Sequence, residues 1–186
     1  IDTKYIVIAT GGRSRELPNL KQDGKKVLGY REAMVMEQQP KSMIIVGSGA
    51  IGVEFAYVYN SMGTKVTIVE FAPRIVPVED EDISKELEKQ YKKQGIEIMT
   101  NASVESVDTS GAGVKALVKK SDGTTLTLEA DVVLSAAGVV AKLLKILRRP
   151  IAQPLSTLFL RLAAAQMIGI TSQCRVSVAT PSGPLQ

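Results

Sequence analysis

The sequence predicts an α/β fold, a doubly wound parallel sheet into which a three-stranded antiparallel meander is inserted. Three observations predict it. Unbroken apolar runs, such as residues 43–46, are typical of strands buried on both faces of a parallel sheet. Apolar residues at helical spacing follow, as in residues 51–62. Within residues 103–129, short alternating segments are separated by glycine-containing turns, which are typical of antiparallel hairpins.

The composition excludes several classes of protein. The chain has 186 residues, of which 45% are hydrophobic and 23% charged, so a wholly disordered chain is not expected. Histidine is absent, which excludes histidine-based acid–base catalysis and histidine metal sites. Cys174 is the only cysteine, which excludes a disulfide framework and a cysteine-cluster zinc site. No apolar run reaches ~18 residues, so we expect no membrane partner and a cytoplasmic location.

The first forty residues have a less regular pattern. A strand pattern covers residues 4–10 and runs into Gly11, where a small residue allows a backbone or a ligand to come close. A short helix is predicted over residues 30–38. It must end before Pro40, because proline disfavours helical geometry in the residue before it.

The most informative pattern begins with the strand at residues 43–46. Residues 47–52 then read Gly-Ser-Gly-Ala-Ile-Gly, and the helix that follows ends at Gly63. A second strand leads to Glu70. This order of strand, glycine turn, helix, strand and acid is the dinucleotide-binding fingerprint of a Rossmann-like fold.

The fingerprint gives each of its residues a physical role. Gly47 permits a tight turn, Gly49 removes a side chain that would block a diphosphate, and Gly52 lets the helix pack closely on the strand. The diphosphate is expected on the free N–H groups near Ala50, where the helix dipole is positive. Glu70 is expected to accept hydrogen bonds from both hydroxyls of the adenine ribose. The predicted ligand is therefore NAD(H).

Glu70 also favours NAD(H) over NADP(H). Its carboxylate would repel a 2′-phosphate, and residues 71–73 provide no cation to receive one. Arg74 is the nearby residue that could reverse this preference.

The remaining pattern completes the predicted fold. Residues 79–95 predict a helix with acidic residues 79–82 at its positive end. We interpret these acids as complementing the helix dipole rather than as a metal site, and we expect no metal. Residues 131–138 predict a final central strand. The other predicted strands are 96–99, 103–108, 114–119 and 125–129.

Two stretches of the sequence resemble a known family. Residues 47–56, Gly-Ser-Gly-Ala-Ile-Gly-Val-Glu-Phe-Ala, and residues 59–70 resemble the NAD-binding domain of the flavoprotein disulfide reductases, and among these the dihydrolipoyl dehydrogenases. The resemblance covers about residues 1–141. It implies that residues 1–40 are a remnant of an FAD-binding domain and that residues 41–141 form the NAD-binding domain.

The resemblance also implies which residues contact the cofactors. Thr10 and Gly11 lie in a segment similar to the one that passes the FAD. Val104 and Gly138 fall where the family places residues beside the adenine and nicotinamide ends of NAD. Glu54 matches a glutamate that pairs with a lysine near the flavin, although the residues alone fit an acid reaching solvent equally well. The implied NAD contacts around the glycine turn are Gly47, Ser48, Gly49, Ala50, Ile51, Gly52 and Glu70.

The chemistry that the resemblance implies requires groups that are absent from this sequence. The family passes electrons from dihydrolipoamide through a cysteine pair and FAD to NAD, in a homodimer that belongs to a 2-oxo acid dehydrogenase complex. The sequence has no cysteine pair, no histidine and no second glycine fingerprint. We therefore expect an internal fragment that binds NAD(H), carries no catalytic residue and is inactive alone. The alternatives are a fragment of a related reductase, such as an NADH oxidase or a glutathione-type reductase, and a non-catalytic nucleotide-binding module.

The last part of the sequence differs in charge. All 19 acidic residues precede it, whereas residues 140–186 hold six basic residues. This stretch has no nucleic-acid-binding motif, so we expect no nucleic-acid partner. The resemblance ends after Ala141, and for one possible choice of codons a one-base shift in the reading frame at residues 144–147 gives a tetrapeptide similar to the family's continuation. We therefore interpret residues 142–186 as an atypical, disordered and out-of-frame tail. The alternative is a basic amphipathic segment for an anionic membrane or a partner.

Overall fold

The computed structural model describes residues 11–141 of the chain. Ser14–Gly138 form the larger compact unit, and residues 11–13 and 139–141 belong to a second unit. The strand predicted at the start of the chain and the tail predicted at its end lie outside the described residues. In chain order, the elements are β1 (Gly12–Ser14), β2 (Val27–Leu28), α1 (Tyr30–Met34), β3 (Ser42–Val46), α2 (Ala50–Ser61), β4 (Lys65–Val69), α3 (Glu81–Lys93), β5 (Glu97–Met99), β6 (Ala102–Asp108), β7 (Val114–Lys120), β8 (Thr125–Ala130), β9 (Val132–Ser135) and β10 (Val139–Ala141).

Five parallel strands form the central sheet, in the order β2, β9, β3, β4, β5. Strand β3 is in register with both neighbours, so that Val46 pairs with Val69 on one side and with Ser135 on the other. The chain winds from β3 through α2 to β4 and through α3 to β5 before it returns to β9 on the opposite side of β3. The predicted α/β fold with a parallel sheet is confirmed.

Different layers cover the two faces of the sheet. Alternate side chains of a strand point to opposite faces because the strand has a two-residue period. Met43 and Ile45 pack with side chains of the helices in one core, whereas Ile44 and Val46 pack with the meander in a second core. Helices thus cover one face, and the meander covers the face where a doubly wound sheet usually carries further helices.

The meander is the predicted three-stranded antiparallel sheet, in the order β6, β7, β8. Each strand begins and ends within one residue of its predicted bounds. In β7 the buried residues Val114, Ala116 and Val118 alternate with exposed residues. This alternation is the pattern of a sheet with one face on the core, and it is why the sequence predicted the meander.

Acidic residues form the start of helix α3. The Asp80 side chain accepts a hydrogen bond from the backbone N–H of Asp82 at 2.9 Å, and Glu81 forms an ion pair with Lys85 at 2.8 Å. The acidic run therefore supports the helix start, as its position at the positive end of the dipole predicts. No helix within residues 11–141 has the length and apolar composition that crossing a membrane requires.

Helix α1 is shorter than predicted. The sequence predicts a helix over residues 30–38, but the helix ends at Met34. The carbonyl oxygen of Ala33, in the last turn of the helix where no intrahelical donor reaches it, accepts from the Tyr59 hydroxyl at 2.6 Å. Strands β1, β2 and β10 were not predicted, because segments of two or three residues carry too little periodicity to be recognised.

Part of the segment predicted as an FAD-domain remnant takes part in the larger unit. Strand β2 is an edge strand of the parallel sheet. Leu20 and Val27 are buried in the core on the meander side, and Ala33 is buried in the core on the helix side. The packing of residues 14–40 is therefore continuous with that of the residues that follow, and the domain division at residue 40 stays a prediction.

Candidate nucleotide-binding site

Two turns meet at the carboxyl ends of β3 and β9. The chain leaves β3 in one direction across the sheet and returns to β9 on the other side, so the gap between these strands is a topological switch point, where open α/β sheets bind ligands. The backbone N–H of Ala136 donates to the carbonyl oxygen of Val46 at 2.8 Å. A Cβ atom on Gly47 would lie 2.6 Å from the carbonyl oxygen of Ala136, so the approach of the two turns requires glycine at this position.

Two of the three fingerprint glycines have a packing role. Gly47 has a φ of +100°, a conformation that side chains disfavour, and its N–H donates to the carbonyl oxygen of Val69 at 2.9 Å. A Cβ atom on Gly52 would overlap the carbonyl oxygen of Gly47. Helix α2 can therefore start close to the turn only because position 52 has no side chain, which is the role that the sequence predicts for Gly52.

Gly49 differs, because no packing inside the protein requires a glycine there. A Cβ atom on Gly49 would have no heavy atom within 4 Å, and its φ of −66° is ordinary. Gly49 is the N-cap of α2, it provides no side-chain hydrogen bond, and the first turn contains no acidic residue. The N–H groups of Ala50 and Ile51 lie in this first turn, where a helix offers them no acceptor of its own. The open space at a positive helix end fits a diphosphate.

Hydrogen bonds hold the Glu70 carboxylate against the glycine turn. Its side chain lies among the buried residues, with 9% of the residue surface exposed, and Ser48 is fully buried. The Glu70 Oε2 atom accepts from the Ser48 backbone N–H at 2.7 Å and from the Ser48 hydroxyl at 2.6 Å. The Oε1 atom accepts from the Ala72 N–H at 2.7 Å. The N–H and hydroxyl of Ser48 are thus used to hold the carboxylate.

The Glu70 carboxylate keeps capacity for a further hydrogen bond. Each carboxylate oxygen can accept two hydrogen bonds, and Oε1 accepts one from the protein. Sequence reasoning placed Ser48 among the NAD contacts and missed its bond to Glu70. A hydroxyl residue at the second position of the turn, together with an acid after the next strand, was the available signal.

Arg74 is engaged elsewhere. Its Nη2 atom donates to the carbonyl oxygens of Pro77 at 3.1 Å and Glu79 at 3.2 Å, and its Nη1 atom lies 4.0 Å from the Glu81 carboxylate. These contacts hold the guanidinium within the connection between β4 and α3. Arg74 is the residue that could reverse the predicted preference for NAD(H), and that preference stays a prediction.

The residues implied only by the resemblance have different surroundings. Gly138 is exposed after β9, and its carbonyl oxygen accepts from the Arg15 N–H at 2.8 Å. Val104 is 5% exposed, and its carbonyl oxygen accepts from the Asn19 side-chain amide. Gly11 is exposed and lies outside the larger unit. Thr10 lies outside the described residues. The cofactor contacts of all four stay predictions.

Glu54 is half-buried on α2. Burial raises the pKa of its carboxyl. Within residues 11–141 its side chain forms no hydrogen bond or ion pair, so the lysine that the resemblance implies as its partner is not found there. Burial, followed by the nearby charge of Glu54, raises the pKa of Tyr91 to about 12, and the Tyr91 hydroxyl donates to the carbonyl oxygen of Val53 at 2.8 Å.

The fold and the glycine turn match a known family. A family model described as pyridine nucleotide-disulphide oxidoreductase matches residues 1–155. The chain belongs to the pyridine nucleotide-disulphide oxidoreductase family. The resemblance to flavoprotein disulfide reductases is therefore confirmed, and the family match continues past Ala141, where the sequence-based resemblance was expected to end.

Several dihydrolipoyl dehydrogenases are similar to this chain. That of Rhizobium etli is 47% identical over 136 residues, which are 73% of this chain and 28% of the relative. That of Chlorobaculum tepidum is 42% identical over 139 residues, which are 75% of this chain and 30% of the relative. The chain thus spans less than a third of the length of these relatives.

Solved structures show the same relationship. LpdA from Mycobacterium tuberculosis is 36% identical, with a TM-score of 0.63 over 72% of this chain and 28% of LpdA. A ferredoxin reductase from Rhodopseudomonas palustris is 30% identical, with a TM-score of 0.64 over 76% of this chain and 36% of the reductase. The oxidoreductase family therefore accounts for both the sequence and the fold of the described residues.

Proposed function

We propose that this chain is the NAD(H)-binding portion of a dihydrolipoyl dehydrogenase. The observation that carries the proposal is the start of α2, which has no side-chain cap and opens onto the switch point of the sheet beside Glu70. A diphosphate fits this start because the space beside Gly49 is open and the first turn has no acid to repel an anion. The N–H groups of Ala50 and Ile51 are the donors that would hold it.

The adenine ribose would bind at Glu70. The carboxylate is held by Ser48 and Ala72, and its Oε1 atom keeps capacity for a ribose hydroxyl. A negative charge at this position, with Arg74 engaged in its own loop, supports NAD(H) rather than NADP(H). NAD supplies a hydride acceptor when it is bound. The residues of this chain bind and orient it.

The rest of the proposed chemistry belongs to a longer protein. In a dihydrolipoyl dehydrogenase that the resemblance implies, electrons pass from dihydrolipoamide through a disulfide and FAD to NAD, in a homodimer within a 2-oxo acid dehydrogenase complex. Thr10 and Gly11 are the residues proposed to pass the FAD. The chain itself has one cysteine and no histidine, so we expect NADH binding without lipoamide turnover. We expect such a protein in the cytoplasm.

The ribose role of Glu70 is tested by titrating the full chain with NADH and with NADPH. We expect Glu70→Ala to weaken NADH binding by about tenfold to a hundredfold, because a charge-assisted hydrogen bond contributes ~1.5–3 kcal/mol. Glu70→Gln tests the charge separately from the shape. The exposed acid Glu37, changed to Ala, is the matched control and should leave NADH affinity unchanged. Unchanged affinity in calorimetry with Glu70→Ala would contradict the ribose role.

A related reductase is the second candidate. It is favoured by the ferredoxin reductase structure, which resembles the described residues as closely as LpdA does by TM-score. The flavin absorbance of the purified chain and a lipoamide reduction assay test whether the chain binds FAD and whether it turns over lipoamide. Bound FAD together with lipoamide turnover would refute the proposed inactivity of the chain.

A further inference from the structure

Val76, in the connection between β4 and α3, has a backbone conformation that its residue type disfavours. Its φ is +39°, in the left-handed region, where a β-branched residue is a genuine outlier. Asn101 has a φ of +50°, but asparagine adopts this region several times more often than most residues do, and it is exposed here. A strained residue persists only where its surroundings fix it, so the contacts of Val76 indicate what the strain maintains.

Contacts on both sides fix the conformation of Val76. Its side chain is 5% exposed and packs in the core on the helix side of the sheet. Its carbonyl oxygen accepts from the N–H of Glu79 at 2.9 Å, and its own N–H donates to the carbonyl oxygen of Ser48 at 2.9 Å. The preceding residue, Ile75, is fully buried, and its carbonyl oxygen accepts from the Ser84 hydroxyl at 2.6 Å. The N–H of Val76 is therefore held against the glycine turn.

The bond to Ser48 orients the N–H group of Gly49. The Ser48 carbonyl and the Gly49 N–H belong to one peptide group, and in a trans peptide these two point in opposite directions. Because Val76 binds the carbonyl, the Gly49 N–H points away from Val76. No acceptor in the part of the chain that the structure describes binds that N–H. The preceding peptide group is held as well, because the Ser48 N–H donates to Glu70.

We propose that the backbone N–H of Val76 is a positioning group for the diphosphate of NAD(H), acting through the Ser48 carbonyl on the Gly49 N–H. The inference rests on the NAD(H)-binding function proposed above. The Gly49 N–H then joins those of Ala50 and Ile51 as a donor, and a donor that is oriented before binding loses less conformational freedom when the ligand binds. Without the Val76 N–H this peptide group can rotate, because glycine allows a wide range of backbone conformations.

An amide-to-ester substitution tests the N–H without changing the side chain. In the full chain, Val76 is replaced by α-hydroxyisovalerate, and the protein is titrated with NADH and with adenosine, which has the ribose but no diphosphate. We expect NADH affinity to fall by about tenfold, the size of one hydrogen bond to a charged group. Adenosine affinity should stay unchanged, because Glu70 keeps its bonds to Ser48. The same replacement at Val133, whose N–H donates to the carbonyl oxygen of Lys26 at 2.7 Å, is the matched control and should leave NADH affinity unchanged.

Val76→Gly separates the N–H from the side chain. Glycine keeps the N–H and adopts the left-handed conformation without strain, so NADH affinity should stay close to that of the unaltered chain. The urea midpoint should fall, because the buried side chain is lost. A loss of NADH affinity as large as that of the ester would show that side-chain packing positions the turn, and it would overturn the role of the N–H.

The outcomes separate this inference from the function on which it rests. If the unaltered chain binds NADH and the ester at Val76 binds it equally well, the positioning role is overturned and the NAD(H) site stands. Equal losses of NADH affinity from the esters at Val76 and Val133 would indicate a general weakening of the fold and would also overturn it. An equal loss of adenosine affinity from the ester at Val76 would do the same. Absence of NADH binding by the unaltered chain would overturn both proposals.

Discussion

Helices α2 and α3 begin in opposite ways. At the start of α3, the Asp80 side chain caps the N–H of Asp82, and Glu81 adds a second acid to the first turn. At the start of α2, Gly49 provides no side-chain cap, and the first turn has no acid. The positive end of α3 is therefore satisfied by its own residues, whereas the positive end of α2 remains available to an anion.

The difference separates a structural helix start from a binding one. Both helices follow a parallel strand of the same sheet, so topology alone does not distinguish them. The residues of the first turn do distinguish them. Substitutions that give α2 an acidic first turn, or that remove the glycines of α2 or the cap of α3, test this difference between the two helix starts.

The largest effect is expected from Gly52→Ala. The new Cβ would overlap the carbonyl oxygen of Gly47, which is backbone and cannot rotate away. We expect the free energy of unfolding to fall by at least ~2 kcal/mol in urea titrations, despite the higher helix propensity of alanine. Gly49→Ala is the matched control, since its Cβ meets no protein atom, and its stability should change by less than ~1 kcal/mol. Equal stabilities of the two variants would show that α2 does not need close contact with the turn.

Ala50→Glu gives α2 the acidic first turn that α3 has. We expect NADH affinity to fall by at least about tenfold, because the new carboxylate repels the diphosphate. The free energy of unfolding should rise by ~0.5 kcal/mol, because the charge complements the helix dipole. Calorimetric NADH titration and urea unfolding of the same sample measure both.

Ala50→Gln has nearly the same size without the charge, and it should retain more NADH affinity than Ala50→Glu. Equal losses in the two variants would show that bulk rather than charge excludes the ligand. Unchanged NADH binding in Ala50→Glu would show that the diphosphate does not use this helix start.

The features that the sequence predicted are those specified by neighbouring residues. The glycine turn at residues 47–52 lies between a buried strand and a helix, and each is visible in a window of a few residues. The meander was predictable for the same reason, because alternation within a strand and glycine between strands are both local. The acidic residues at the start of α3 were predictable too, because they stabilise the first turn of the same helix.

The features that could not be predicted depend on residues far apart in the chain. The bond from Ser48 to Glu70 joins residues 22 positions apart and exists only once β3 and β4 are paired. The place of β9 beside β3 decides where the switch point lies, and no local pattern specifies strand order. Helix α1 ends at Met34, and the carbonyl oxygen of Ala33 in its last turn accepts from the hydroxyl of Tyr59 on α2, a contact that forms only when the two helices are packed. Strand β2 has only two residues, which are too few to show a strand pattern in the sequence. It is recognised as a strand only by its pairing with β9.

The smallest effect is expected from Asp80→Ala, which removes the cap of α3. The N–H of Asp82 loses a 2.9 Å hydrogen bond, and we expect the free energy of unfolding to fall by ~1 kcal/mol in urea titrations. Asp80→Asn should restore most of this stability, because asparagine is also a favoured N-cap residue. NADH affinity should stay unchanged in both variants, since the cap lies at the other helix. A loss of NADH affinity in Asp80→Ala would mean that the two helix starts are coupled, and the division between a structural start and a binding start would no longer hold.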